Sequence, residues 1–542
     1  MVARPGAKDY LKSVSNDFPA SIVVFLVALP LCLGISLASN APAFSGLIAG
    51  IVGGIVVGLA SRSQLSVSGP AAGLTAIVVA ALLVLPTYEA FLLAVVIAGV
   101  FQILLGFLRM GIIGDYVPNA VIKGMLAAIG LILIINQFPH LLGDDSHFET
   151  DEGIGRAEGN IFTNFFNAFG HITTSALIIG AICLAFHFIW EKMVAGKKGF
   201  IRLVPAPLLI VLIGVGINSF YSSGAALSGE HLVNIPIAAS AEEFFSFFSN
   251  PDWSQINNPQ VWITGITIAL VASLESLLSI EAIDDLDPYQ RVTPTNRELK
   301  AQGLGNMVSG LIGGLPVTSV IVRSSANVNA GARTKMSAIF HGLLLLAAVA
   351  FFPVIMNLIP KAALAAILIF TGYKLAKPAL FVAFYKKGLD QFLPFVITIV
   401  AILATDLLKG VIIGIGVGLF FIIRSNFRSA VFVVHDNNKY LFRLRKDVSF
   451  LNKPIIKNRL EKVPPESYVL IDASRADFID KDIIETIEDF MIHSQLKNIT
   501  VELKTNQTKE QGFSKELLES NGTPGHYTRR HDKKIVKVEA GH

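Results

Sequence analysis

Residues Leu65 to Val79 read LSVSGPAAGLTAIVV and lie between two long apolar runs. Leu65, Ser66, Val67 and Ser68 alternate apolar and small polar side chains, the period of an extended strand, before Gly69-Pro70 hand over to a helical apolar run. Gly69 tolerates unusual backbone angles and Pro70 has no N–H to lose, so the pattern predicts a helix that starts at Pro70. A helix that starts at this depth leaves its first N–H groups without partners inside a bilayer.

The surroundings place the stretch in a membrane. Of 542 residues, 53% are hydrophobic and 15% charged, with a mean hydropathy of +0.60; a soluble chain carries roughly 25% charged residues. The formal net charge of +4 is small and dispersed, which argues against a nucleic-acid partner. Cys32 and Cys183 lie far apart within apolar runs, with no metal-ligand spacing, and read as packing residues. Walker, HExxH and nucleophile-elbow motifs are absent, as is any His or Cys cluster, so the sequence gives no support for an enzyme or a bound cofactor.

Counting helices of roughly 17 to 25 apolar residues, with shorter broken ones allowed, gives about fourteen segments. Residues 1–16 are polar and basic and carry no cleavage signal, so they read as a cytoplasmic N-terminal segment. From that start, the even connections should be basic. They hold Arg62; Arg109; Lys192, Lys197, Lys198 and Arg202; Arg291, Arg297 and Lys300; Arg333 and Lys335; Lys374, Lys377, Lys386 and Lys387. The odd connections, such as the acidic GDDSHFETDEG, are poor in positive charge, with Arg156, Lys361 and Lys409 as exceptions. Both termini are thus expected in the cytoplasm, with lipid of a cell (inner) membrane around a multi-pass transmembrane domain of residues 17–423.

Composition changes at RSNFRS, Arg424 to Ser429. Residues 424–436 read as a linker and first strand, and 437–542 as a cytoplasmic α/β domain: a strand pair turning at Asp-Asn-Asn, helix KPIIKNRLEKV, strand SYVLIDAS, helix DKDIIETIEDFMIHSQLK and strand NITVELK. The tail from Gly522, with HYTRRHDKK, reads as loosely ordered.

A second interrupted segment matches the first. AQGLGNMVSGLIGG precedes the extended VTSVIV and then RSSANVNAG, in the same order of parts as SGLIAGIVGGIVVGL, LSVSG and a helix start. Seven spans separate the two, and an odd number inverts the second copy. Two half-helices starting from opposite sides would aim their N-termini at one another, and each terminus carries about half a positive charge with free N–H donors, which makes an anion site. Gly69, Pro70 and Ala71 stand at the first break, and the other reading of it is a kink satisfied by a neighbouring helix. Arg323 at the second adds a full charge and directional donors, or else snorkels to an interface. Ser324 and Ser325 could cap the helix or touch the anion; Thr318 and Ser319 sit on the extended approach.

Glu275 lies mid-helix in ITIALVASLESLLSIEAIDDL. A carboxylate there costs roughly 2.5 to 3.5 kcal/mol on insertion scales and is paired, protonated or faces water. It reads equally as a proton carrier or as a static counterion for Arg323. Ser279, one turn on along the same face, could help hold a cation or a water. Glu281, Asp284, Asp285 and Asp287 read as a solvated helix end, and the glycine-rich runs as close helix contacts.

The blocks DFPASIVVFLVALPLCLGISLASNAP, SVSGPAAG, GEHLVNIP, SLESLLSIEAID and NRELKAQGLGNMVSGLIGGLPVTSVIVRSSANVNAGARTKMSAIFHG resemble the SulP, or sulfate permease, family over nearly the whole chain. The resemblance implies a polytopic α-helical membrane protein of about 14 transmembrane segments in a 7+7 inverted repeat, uracil-permease-like, with core and gate domains. Its anion site between the third and tenth segments maps onto Gly69, Pro70, Ala71, Arg323 and Ser324, and its acidic eighth-segment position onto Glu275. Asp there occurs in sodium-coupled bicarbonate carriers and Glu in members thought to be proton-coupled, so H+ is the expected coupling ion and Na+ the alternative. The C-terminal domain resembles a STAS domain, and family members are commonly homodimers. Lys481 and Asp482 stand where phosphorylatable STAS proteins have Ser, which leaves a docking or dimer-supporting role.

The leading expectation is a secondary active transporter of an inorganic oxyanion of the sulfate or bicarbonate class, working by alternating access. A passive anion channel, a carrier of small dicarboxylates, and a sensor that reports anion occupancy to the C-terminal domain are the alternatives.

Overall fold

In the computed structural model, residues 7–112, 117–144, 165–194, 204–221, 226–405, 407–504, 527–531 and 534–537 are described. The acidic connection with Arg156, and Lys197, Lys198 and Arg202, lie outside these residues. The chain divides into two compact units, Met1–Gly416 and Val417–His542.

The first unit is helical. Its segments are α1 (Ala7–Ala38), α2 (Ala43–Ala60), α3 (Ala72–Val84), α4 (Tyr88–Phe107), α5 (Asn119–Leu142), α6 (Thr174–Val194) and α7 (Ala206–Phe220) in one half. The other half holds α8 (Pro259–Leu286), α9 (Thr295–Leu311), α10 (Ile321–Asn329), α11 (Met336–Phe351), α12 (Lys361–Leu375), α13 (Leu389–Ala404) and α14 (Leu407–Ala430), whose residues from Val417 on belong to the second unit. Among the described residues, seven helices are long and apolar enough to cross a membrane and five more are shorter and apolar; with polar α9 and short α10 they make the fourteen segments expected.

Packing sorts the segments into two groups. In one, α4 lies against α8 and α9, and α1 against α2, α10 and α11; in the other, α5 packs on α12 and α13, and α6 on α7 and α12. Glycines permit the closest approaches, as the sequence runs implied: a Cβ on Gly54 of α2 would lie 2.6 Å from the Cα of Gly342 in α11.

The helix after the first break starts later than the Gly-Pro pair predicts. Ser68–Pro70 form a short strand, β1, paired antiparallel with β2 (Val317–Ser319): Ser68 faces Ser319, Gly69 faces Thr318 and Pro70 faces Val317. Pro70 therefore ends a strand, Ala71 is extended (φ −116°, ψ 139°), and the helix begins at Ala72. The reason is that unpaired backbone is costly at this depth, and two extended breaks satisfy each other. The first segment also starts earlier than residue 17, since the polar AKDYLKSVSN is already helical.

The second unit, described by itself, holds a six-stranded sheet in sequence order: β3 (Val431–Asp436), β4 (Lys439–Val448), β5 (Tyr468–Ile479), β6 (Thr500–Lys504), β7 (Tyr527–His531) and β8 (Lys534–Lys537). Both outer pairs are antiparallel and the inner pairings parallel. Helices α15 (Lys453–Glu461) and α16 (Lys481–Ser494) supply Ile456, Ile483 and Ile487 to a core with Phe442, Val469, Ile471 and Val501. Two expectations change. RSNFRS continues α14 to Ala430 and is not a linker, and part of the tail forms the β7–β8 hairpin, with β7 pairing parallel to β6.

Candidate functional site

The paired strands form a crossing at the centre of the first group of helices, and each runs into a helix start. Neither start has a side-chain cap, so the first N–H groups are left to whatever faces them. The approach to α10 is tied to the approach to β1: the Val320 N–H donates to the Val67 carbonyl at 3.1 Å, and the Val67 N–H to the Ser324 hydroxyl oxygen at 2.8 Å. Ser324 in turn donates to the Val320 carbonyl at 2.7 Å. Its hydroxyl is thus spent on the crossing, as is that of Ser66 on Ser319 at 2.5 Å. Ser325 is half-buried and donates to the Val322 carbonyl at 3.0 Å.

Arg323 is fully buried. One nitrogen, Nη2, donates to the Pro70 carbonyl at 3.4 Å, while Nε and Nη1 have no hydrogen-bond partner. A Cβ on Gly69 would collide with Nη1, and one on Gly50 would lie 2.6 Å from the Cys32 sulfur and 4.0 Å from Nη1, so the guanidinium lies against β1 and α2. It does not snorkel. Burying a cation costs several kcal/mol, whereas a hydrogen bond to a charged group returns about 1.5–3; one long bond leaves a deficit that a nearby anion would offset.

Glu275 sits elsewhere. Its carboxylate rests on the start of α3, facing the Gly73 N–H, so close that a Cβ on Gly73 would lie 2.5 and 2.6 Å from its two oxygens. It forms no ion pair with Arg323, and its Oε2 has no hydrogen-bond partner. The counterion reading therefore fails for direct contact. Ser279 is buried one turn further on and makes no hydrogen bond to Glu275. Gly69, Pro70 and Ala71 are buried under the crossing.

Residues not singled out from the sequence complete the support. Along α9, Glu298, Gln302 and Asn306 are spaced by four, so they share one face, and all three are fully buried. Asn306 holds β2, accepting from the Val317 N–H at 2.6 Å and donating to the Val317 carbonyl at 3.0 Å; Gln302 donates to the Ser68 hydroxyl of β1 at 2.8 Å. The signal was visible as a polar stripe in a helix otherwise rich in glycine and apolar residues. Ser276 of α8 adds a hydroxyl that accepts from the Ser319 N–H at 3.3 Å.

A cavity of about 640 Å³ opens beside α10. Val322, Ser325 and Asn329 line one wall with Val27 of α1, and His187, Glu191, Phe370 and Lys374 of α6 and α12 line the other. It lies between the two groups of helices. Lys374 and Glu191 form an ion pair of 2.5 Å within it. Among the described residues, α3 contributes nothing to this wall.

Residues 14–400 match the family model described as "Sulfate permease family". The chain belongs to the sulfate permease family. Members of this family are transporters, and this chain is a multi-pass membrane protein and not an enzyme. The family member is 25% identical over 421 residues to the bicarbonate transporter BicA of Picosynechococcus, covering 76% of this chain and 70% of that one. It is 23% identical over 564 residues to the chloroplastic sulfate transporter 4.1 of Arabidopsis thaliana, covering 95% and 79%. Its fold matches that of murine Slc26a9, an anion transporter solved in the inward-facing state, with a TM-score of 0.72 and 16% identity over 93% of this chain and 87% of that one.

Proposed function

We propose that this sulfate permease family member is a secondary active transporter of an inorganic oxyanion of the sulfate or bicarbonate class. The observation that carries the reading is the uncapped α10, one face of which (Val322, Ser325 and Asn329) lines a cavity of about 640 Å³, with the fully buried, under-partnered Arg323 in its first turn. Helix-start N–H groups supply donors and Arg323 supplies charge, both suited to an oxyanion. The cavity runs between the two helix groups, so rocking one group against the other would close it and open the opposite face.

Coupling is assigned to Glu275 and the proton. Ionised, its carboxylate occupies the positive end of α3; protonated, it releases that potential for a solute, so proton and anion binding favour one another. The chain sits in the inner membrane with both termini cytoplasmic, in line with its basic even connections, and works as a homodimer whose C-terminal STAS-like unit supports assembly.

Reconstitution into proteoliposomes tests this. Saturable uptake of sulfate or bicarbonate that is accelerated by an inward proton gradient and by counterflow is the expected result. Linear, non-saturating flux would indicate a channel, dependence on a sodium gradient alone would overturn the proton assignment, and no flux would leave a sensor.

A further inference from the structure

Glu298 is a buried acid that the proposed cycle does not use. It is fully buried in the first turn of α9, where two neutral groups contact its carboxyl: the Ser61 hydroxyl, and the Gln302 amide, which donates at 2.8 Å. Among the described residues, no cation touches it. The charged groups of its surroundings are engaged elsewhere: the Lys335 ammonium donates to the Leu59 and Ser61 carbonyls at 2.8 and 3.1 Å, the Arg297 guanidinium to the Ala60 carbonyl at 2.9 Å, and the Asp284 carboxylate accepts from Thr293 at 2.6 and 2.7 Å. Arg62 is exposed. The helix-start dipole of α9 offsets only part of the cost of a charge held this way.

The same Gln302 nitrogen that meets Glu298 also meets the Ser68 hydroxyl at 2.8 Å. An amide presents either NH2 or oxygen to a given pair of neighbours, and a hydroxyl both donates and accepts. With Glu298 ionised, Gln302 turns its NH2 to both neighbours and Ser68 accepts. With a proton on Glu298, the acid donates to the Gln302 oxygen once the amide turns over, and Ser68 donates to that oxygen as well. One proton therefore reverses the direction of the whole chain up to the first residue of β1.

We infer that Glu298 is a second proton-binding site, loaded from the side of Arg62, Arg297 and Lys335 through the Ser61 hydroxyl, and read out at β1 by Gln302 and Ser68. The step is proton transfer alone, from water to the carboxylate. Gln302 and Ser68 act as positioning residues for the crossing.

The inference goes beyond the transport reading, and its test does not depend on flux. Infrared difference spectra of the purified full-length protein, recorded between acid and alkaline pH, report the C=O stretch of protonated buried carboxyls. We expect the wild-type protein to show a titrating band that is lost in Glu298→Gln and kept in Glu275→Gln. Should Glu298→Gln fail to fold, Gln302→Leu removes a hydrogen-bond partner and is expected to shift that band while leaving the Glu275 band in place. A Glu298→Gln spectrum identical to wild type, or a Gln302→Leu spectrum with no shifted band, overturns the inference. Loss of transport with the Glu298 band intact would count against the transport reading and leave the proton site standing.

Discussion

At the start of α3 the Gly73 N–H meets a carboxylate; α10 lines a cavity along one face, from Val322 to Asn329. The two breaks share a plan of strand, uncapped helix start and buried approach, and the strands pair with each other. They differ in charge. Glu275 from α8 covers the α3 start, whereas the α10 start carries its own Arg323, which lies against β1 and α2. An inverted repeat need not make a symmetric site: one end can hold the transported anion while the other is governed by an exchangeable proton.

The comparison breaks most readily at Arg323. Arg323→Ala removes the full positive charge behind the crossing and should weaken oxyanion binding by roughly ten- to a hundredfold, the equivalent of about 1.5–3 kcal/mol; isothermal calorimetry reads it directly. Gly69→Ala should do comparable damage, since its Cβ would collide with the guanidinium. At the other break, Glu275→Gln should abolish proton-driven accumulation while leaving anion binding largely intact, and accumulation unchanged in proteoliposomes would reject the role given to that carboxyl.

Smaller effects sharpen the picture. Ser324→Ala removes the tie between α10 and Val67 and should lower stability by about 1 kcal/mol, seen as a lower Tm with modest change in affinity. Smallest of all is Asp472 in β5. Burial works to raise its carboxyl, but hydrogen bonds from Ser474, the Lys504 charge and Arg443 at 3.2 Å outweigh it and hold the carboxyl below the usual range. A lowered folded-state value stabilises above the unfolded-state value and is lost as pH falls through the folded one. Asp472→Asn should therefore remove less than about 1 kcal/mol at neutral pH and nothing at strongly acidic pH, measured by hydrogen exchange along β5.

Much of this was legible before any coordinates. Hydropathy and the alternation of basic connections gave the number of segments, and Gly69-Pro70 with the matching VTSVIV gave both breaks, because length, charge and turn chemistry are local properties. What the local signals missed is relational. No pattern within LSVSG says that its backbone pairs with VTS, so the Gly-Pro pair alone points to a helix start where the structure has the end of a strand. Ser324 has the chemistry of an anion ligand, but Val67 takes its hydroxyl. The stripe Glu298, Gln302 and Asn306 was present at helical spacing, yet only the packed structure puts Ser68 and Val317 against it. The tail hairpin depends likewise on the pairing of β7 with β6, far away in sequence.

The central claim is that the uncapped start of α10, with Arg323 in its first turn, receives the anion. Diffraction from the protein crystallised with selenate, read at the selenium absorption edge, tests it most directly. The account predicts an anomalous peak beside the first turn of α10, within hydrogen-bond reach of the backbone of Ile321 to Arg323, that disappears in Arg323→Ala; a peak confined to Lys374 or to the C-terminal unit, with none at α10, would contradict it.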